Sequence, residues 1–282
     1  MSLPLPLRRW RRRGFYVLVR TLAGTLRRFP RTVGQVLLRQ LAGIAWTVLG
    51  KERRIARSQL ERALPELPST RHDAIARASL RLLGDNLLDM LRADVPVHFP
   101  DGDRRRLEDE LREGPVLVLM AHAGAWELIG PVLVEMTGRF GAVTADPHNP
   151  RVGAWLRLER ERRRFVCFDR EREVGAAARW LSRGGCLAVL ADHRPHGGTV
   201  AADWFGHPAP TTTGPGRLAR IAGARIVPVS IRRIGDGHEM GCGEAFSPVG
   251  DPQIDAARCN AALEEMILAS PEEWTWFHDR YA

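Results

Sequence analysis

The stretch Gly114-Pro115-Val116-Leu117-Val118-Leu119-Met120-Ala121-His122-Ala123-Gly124-Ala125-Trp126-Glu127 decides the fold. Its apolar run is too short for a buried helix. It is apolar at every position, unlike a strand with one face in water. Bounded by Gly-Pro, it reads as a strand buried on both faces. His122 stands where that strand ends, the edge at which α/β proteins place ligands and chemistry. An imidazole with a carboxylate at Glu127 is a candidate general base for activating a hydroxyl. Gly124 admits close approach of a substrate to the backbone, and amides at the following helix start are candidate oxyanion donors. The same spacing also suits a histidine satisfied at a helix N-terminus beside an exposed glutamate.

Outward from this run, apolar strands and amphipathic helices alternate. Strands are expected at 116–120, 141–145, 165–168, 186–191, 226–231 and 239–246. The helices between them are expected at 126–137, 151–164, 173–183 and 215–222, with a last one at 254–269. Such alternation predicts an α/β fold: a central, mostly parallel mixed sheet flanked by helices. The first hundred residues read as a helical N-terminal extension, with helices at 32–50 and 52–63. A third begins near Ser69 or Thr70, either of which would cap it, and runs to Arg92. A short helix at 104–112 leads into the central strand.

The chain of 282 residues is 44% hydrophobic and 27% charged, a globular balance, and its net charge of +9 asks for an anionic partner. Nucleic acid, a membrane surface or a phosphorylated substrate all satisfy that demand. The cations are nearly all arginine, without lysine–aromatic patterning or a nucleic-acid-binding motif, so no nucleic-acid partner is expected. Cys167, Cys186, Cys242 and Cys259 are widely spaced, as buried free thiols are; no metal site is expected. Arginines at 8–13 with Trp10, Phe15, Tyr16 and Leu18 suit a helix lying in a membrane interface, or a solvated basic tail. No apolar stretch reaches membrane-spanning length. Residues 1–30 are therefore read as a basic amphipathic membrane-associating segment, and 31–282 as a single domain.

Four further clusters carry chemistry. Leu190-Ala191-Asp192-His193-Arg194 ends another buried strand, and Asp192 can pair with His122 if the two strands are neighbours. Asp203-Trp204-Phe205-Gly206-His207-Pro208 precedes Thr211-Thr212-Thr213-Gly214-Pro215-Gly216, where hydroxyls and amides at a helix start suit a phosphate or thioester oxygen; a P-loop lysine is missing. Trp155–Arg164 is an arginine-dense helix, either solvated or an anion site. The terminal Glu272–Tyr281 segment is dense in aromatics, and its His278 is read as packing rather than catalysis.

Taken in order, these pieces resemble the bacterial lipid A late acyltransferases of lauroyl and myristoyl type, relatives of the phosphatidylinositol mannoside acyltransferases. The matching pieces are Glu52-Arg-Arg-Ile-Ala, Leu64-Pro-Glu-Leu67, His122-x-x-Gly-x-Trp-Glu127, Asp146-Pro-His-Asn149 with Trp155, and Leu190-Ala-Asp192. Phe205-Gly-x-Pro208 with Thr211-Thr-Thr-Gly214, Val227-Pro-Val229 and Pro271-Glu-Glu-Trp-x-Trp-x-His278 complete the set, which spans residue 30 to the end.

The resemblance implies a glycerolipid acyltransferase-like fold and transfer of a fatty acyl chain from acyl carrier protein or acyl-CoA to a hydroxyl of a lipid A precursor. Another membrane glycolipid, such as a phosphatidylinositol mannoside, is the alternative acceptor. It implies His122 and Glu127 as the catalytic pair, with His122 deprotonating the acceptor and Glu127 orienting or charge-stabilising it or holding substrate. Asp192 is the implied active-site acid. Gly124, Trp126, Arg160, Arg162, Arg194, Thr213 and Gly214 are expected to bind substrate, without a cofactor. The implied place is the cytoplasmic face of the inner membrane, as a peripheral or monotopic protein. Ala121 stands where the family has asparagine, and His193 where glutamine is frequent.

Overall fold

The run at 116–120 forms the middle strand of the sheet, buried at every position. In this computed structural model residues 5–145, 149–195 and 197–281 are described, with side chains from residue 12. Asp146, Pro147 and His148 of the matching pieces, and the side chains of the first arginines and Trp10, lie outside the described residues.

The N-terminal half of the described chain comprises α1 (Leu5–Arg28), α2 (Arg31–Val48), α3 (Gly50–Ala63), α4 (Ser69–Arg92), β1 (Val97–His98), α5 (Asp101–Glu113) and β2 (Val116–Met120). A 3-10 turn (Trp126–Leu128) then leads to α6 (Ile129–Thr137), β3 (Phe140–Thr144), α7 (Pro150–Arg162), β4 (Phe165–Asp169), α8 (Val174–Ser182) and β5 (Cys186–Leu190). The last elements are β6 (Thr199–Trp204), β7 (His207–Thr212), α9 (Gly214–Ala222), β8 (Arg225–Ile234), β9 (Gly237–Cys242) and α10 (Pro252–Ala269).

Among the described residues, seven strands make a sheet in the order β1-β9-β8-β2-β5-β3-β4. The pairing is parallel except between β8 and β9, so the sheet is the mixed, mostly parallel one expected. Because side chains alternate along a strand, Val116, Val118 and Met120 face one apolar layer with Leu128, Leu133, Phe140 and Phe165. Leu117 and Leu119 face the other, with Leu60, Leu181, Leu263 and Trp274.

The local pattern misleads at two places. Residues 199–212, where no strand is expected, form an antiparallel hairpin, β6–β7, with Asp203 opposite Pro208, while the helix expected after the threonine run does start at Gly214. Pro208 and Pro210 hide it from a strand reading, since proline removes ladder donors; a two-stranded ribbon tolerates them because both strands are edges. Helix α4 is not capped by Ser69 or Thr70: extended Pro68 holds the cap position, and no side chain caps the amides.

Topology opens a crevice at the carboxyl ends of β2 and β5. After β2 the chain leaves towards β3; after β5 it leaves the opposite way, through the hairpin and α9 to β8. The two connections leave on opposite faces, α6 in one apolar layer and α9 in the other, and adjacent parallel strands so connected leave a gap at their carboxyl ends. The tail at 271–281 closes over one side of it. Trp274 and Trp276 are buried, Ala123 bridges Trp274, and the Gly124 amide donates to the Glu273 carbonyl at 3.1 Å.

At the N-terminus, α1 lies on α4 and α7, with Ala23 and Leu26 buried and Arg27 paired to Glu159. Helix α2 packs on α4, fixed by Arg31–Asp89 and Arg39–Asp85. No single described helix is long and apolar enough to cross a membrane. The pair α2 and α3 passes only together, and it is bent by 89°.

Candidate active site

Register brings the first two candidates together. Met120 of β2 pairs with Leu190 of β5, so equal advances of two residues set His122 beside Asp192. His122 Nδ1 lies 2.8 Å from Asp192 Oδ1, and the His122 amide donates to Asp192 Oδ2 at 2.9 Å. Trp274 Nε1 donates to the same Oδ2 at 2.8 Å. Asp192 is fully buried. Burial alone pushes its carboxyl up. The charges of His122 and His193 and the bonds from His122 and Trp274 outweigh that, holding it well below the usual carboxylate range. An ionised Asp192 takes the proton-bearing Nδ1, which leaves Nε2 as the basic nitrogen. Burial lowers the His122 pKa, but the Asp192 charge and bond outweigh it, and the net shift is upward.

Glu127 answers to a different partner. Its two oxygens lie 3.2 Å from Arg160 Nε, and Oε1 also accepts from Nη2. The imidazole is thus oriented by Asp192, while Glu127 holds Arg160 and adds negative charge near His122. Burial disfavours the Arg160 charge, but the Glu127 bond outweighs it and the guanidinium pKa rises.

His122, Trp126, Glu127, Arg160, Arg194, Thr213 and Gly214 all line one cavity of about 730 Å³. Its inner wall is apolar: Met120, Gly130, Phe140, Ala142, Phe165, Ala188, Leu190 and Leu218. Gly130 is required there, because a Cβ would sit 1.9 Å from the Phe165 ring. Arg170, Arg194 and Arg217 also line the cavity, and all three are exposed.

Two of the residues expected to bind substrate lie outside the cavity lining. Arg162 turns away from the cavity, exposed and paired with Glu159 at 3.1 Å; two residues along a helix is a rotation of about 200° from Arg160. Gly124 is not among the residues lining the cavity, and at φ 61° its missing Cβ would lie 2.1 Å from the Ile231 carbonyl oxygen. Two amides beside the cavity are engaged, His122 N by Asp192 and Gly214 N by Thr212 Oγ1 at 3.1 Å.

Sequence reasoning missed the imidazole stack. His193 lies flat on His122, with centroids 3.9 Å apart and planes 10° off parallel, and His278 covers its far face at 4.2 Å. Trp126 meets His122 edge-on at 5.2 Å. Among the described residues, His122, Asp192 and His193 each bring a ligand atom within 4.8 Å of the others. Parallel rings cannot aim in-plane lone pairs at one ion, and Asp192 already accepts three bonds. The four cysteines are free; three are buried and Cys167 is partly exposed, each with its thiol pushed up by burial.

A basic nitrogen backed by a buried carboxylate, at the head of an apolar cavity, is an arrangement for activating a hydroxyl beside a bound hydrocarbon. The chain is 24% identical over 258 residues to the lipid A biosynthesis lauroyltransferase of Escherichia coli, covering 86% of this chain and 82% of that one. It is 22% identical over 258 residues to the palmitoleoyltransferase of the same organism and to a lipid A biosynthesis acyltransferase of Shigella flexneri, with the same coverage. The profile of the family described as bacterial lipid A biosynthesis acyltransferase matches residues 6–282. The chain therefore belongs to that family and is an acyltransferase.

Proposed function

We propose that this enzyme transfers a fatty acyl chain from a thioester donor, acyl carrier protein or acyl-CoA, to a hydroxyl of a lipid A precursor. His122 is the general base. The observation that carries this reading is the His122–Asp192 pair at the head of the apolar cavity. The donor's hydrocarbon lies along Phe140, Ala142, Phe165 and Ala188, with its thioester carbonyl near Nε2. The acceptor oxygen gives its proton to Nε2 as it attacks the carbonyl carbon. Asp192 steadies the imidazolium that forms. Collapse of the tetrahedral intermediate breaks the C–S bond, and the proton passes from His122 to the leaving thiolate, so acid–base balance closes without a cofactor. Arg160, set by Glu127, and Arg194 carry the positive charge that suits an anionic acceptor or donor.

The same reading places the enzyme at the cytoplasmic face of the inner membrane, as a peripheral or monotopic protein. Val33, Leu37, Leu41, Ile44 and Val48 recur every three or four residues along α2 and are exposed, as are Phe15, Leu18 and Leu22 on α1. A contiguous exposed apolar stripe beside arginines is what an interfacial helix presents to a bilayer. The test is the mass of lipid extracts from a strain lacking the gene: lipid A lighter by one acyl chain is expected. Unchanged lipid A beside a lightened second glycolipid moves the acceptor to that lipid.

A further inference from the structure

We propose that His193 is a positioning residue for His122: an aromatic plate, clamped between two rings, that fixes the plane of the base and stabilises its imidazolium through the π-face. This rests on the reading of His122 as base. In-plane, Asp192 holds His122 at Nδ1, but one hydrogen bond leaves the ring free to rock about that contact. The stack on His193 removes this freedom, because the rings lie 3.9 Å apart and 10° from parallel. His193 is held in turn, with His278 on its other face at 4.2 Å and Thr275 Oγ1 3.3 Å from its Nε2. Trp126 closes the edge of His122.

Every charged group around His193 bears on which ring is protonated. Asp192 lies 3.7 Å from its Nε2, with His122 and His278 on its faces and Arg280 near. Burial pushes His193 down to about 4; Asp192 opposes this, while His122, His278 and Arg280 add to it. His278 is also shifted downward, burial being the first cause. The proton taken from the acceptor therefore stays on His122, and its charge spreads over a neutral ring. A cation on an aromatic face gains an amount that, lost, slows turnover about five- to tenfold. A polar side chain such as glutamine has no such face.

The test compares His193→Phe with His193→Leu, which fill similar volume, alongside His193→Ala and His122→Ala. Turnover is measured with a dodecanoyl thioester of acyl carrier protein and a lipid A precursor, and thermal melting checks each fold. We expect kcat to fall about five- to tenfold in the Leu and Ala enzymes, with KM little changed, and most of it to return in the Phe enzyme. The acid limb of kcat/KM should lie at higher pH for Phe than for Leu, because the π-face favours the imidazolium. Equal kcat in the Leu and Phe enzymes, at any level, overturns the proposal and reduces His193 to packing. Turnover that survives His122→Ala overturns the base reading instead, so the two failures are distinguishable.

Discussion

Asp192 grips His122 at two atoms, the ring Nδ1 at 2.8 Å and the backbone N–H at 2.9 Å. The main-chain contact fixes where the residue sits, and the ring contact fixes its tautomer. Asp192→Asn keeps the shape and removes the charge. It should lower kcat by about two to four orders of magnitude, as loss of the orienting carboxylate does in other histidine-based sites. His122 must be neutral to accept a proton, so kcat/KM falls as pH drops through its pKa. In the unaltered enzyme this acid limb should lie above the ordinary imidazole value of 6.5. In Asp192→Asn it should move to lower pH; a limb that stays put removes Asp192 as the source of the shift.

Glu127 and Arg160 act as one unit, since the carboxylate accepts from both Nε and Nη2 of the guanidinium. Glu127→Ala and Arg160→Ala should each lower kcat/KM, and the double variant should be little worse than either. The interaction energy from the double-mutant cycle should be about 1–2 kcal/mol. Additive losses would mean that the two side chains serve separate ends.

Cavity depth should set chain length. Ala142 and Ala188 line the apolar wall beside Phe140 and Phe165. Ala142→Leu fills space that a hydrocarbon would occupy, so a mixture of donor thioesters should yield products shifted to shorter chains, read by mass spectrometry. An unchanged product distribution puts the chain elsewhere.

The apolar stripe on α2 makes a membrane prediction. Leu37→Glu with Ile44→Glu alters only exposed positions, so melting should move by no more than about 0.5 kcal/mol equivalent. Sedimentation with anionic phospholipid vesicles should fall several-fold. Undiminished binding would assign membrane contact to another surface.

Asp89 ties the N-terminal helices to the sheet. It is fully buried and accepts from Arg31, Arg233 and His238. Burial alone would raise its pKa, yet the bonds from His238, Arg31 and Arg233 hold it well below the usual carboxylate range. A depressed carboxylate contributes stability that is complete above its unfolded value, about 3.9, and lost as pH falls through the folded one. Asp89→Ala should cost about 3–5 kcal/mol at neutral pH by stranding the Arg31 and Arg233 guanidinium groups and the buried His238 ring, measured by urea unfolding. The loss should shrink below pH 4.

The part of the fold legible in the sequence is the part written in local apolar pattern. Runs such as Val116–Met120 and Cys186–Leu190 need burial on both faces, and only a sandwiched parallel sheet offers it. His122 and Asp192 were legible for the same reason, since each follows such a run by two residues. What escaped depends on register or distant docking. Glu127 meets Arg160 across two helices, and periodicity alone separates Arg160 from Arg162 only once the helix is oriented. His278 joins His193 because the tail folds back through Trp274 and Trp276, a contact that no local spacing encodes. The β6–β7 hairpin hid behind its prolines.

The most direct test of the central claim is single-turnover acyl transfer by purified enzyme and its His122→Ala variant. Each receives acyl carrier protein thioester or acyl-CoA with a lipid A precursor, after matched melting curves show that both are folded. We expect the variant to lose transfer by at least about three orders of magnitude, with donor binding retained. Transfer within tenfold of the unaltered enzyme would contradict His122 as the base.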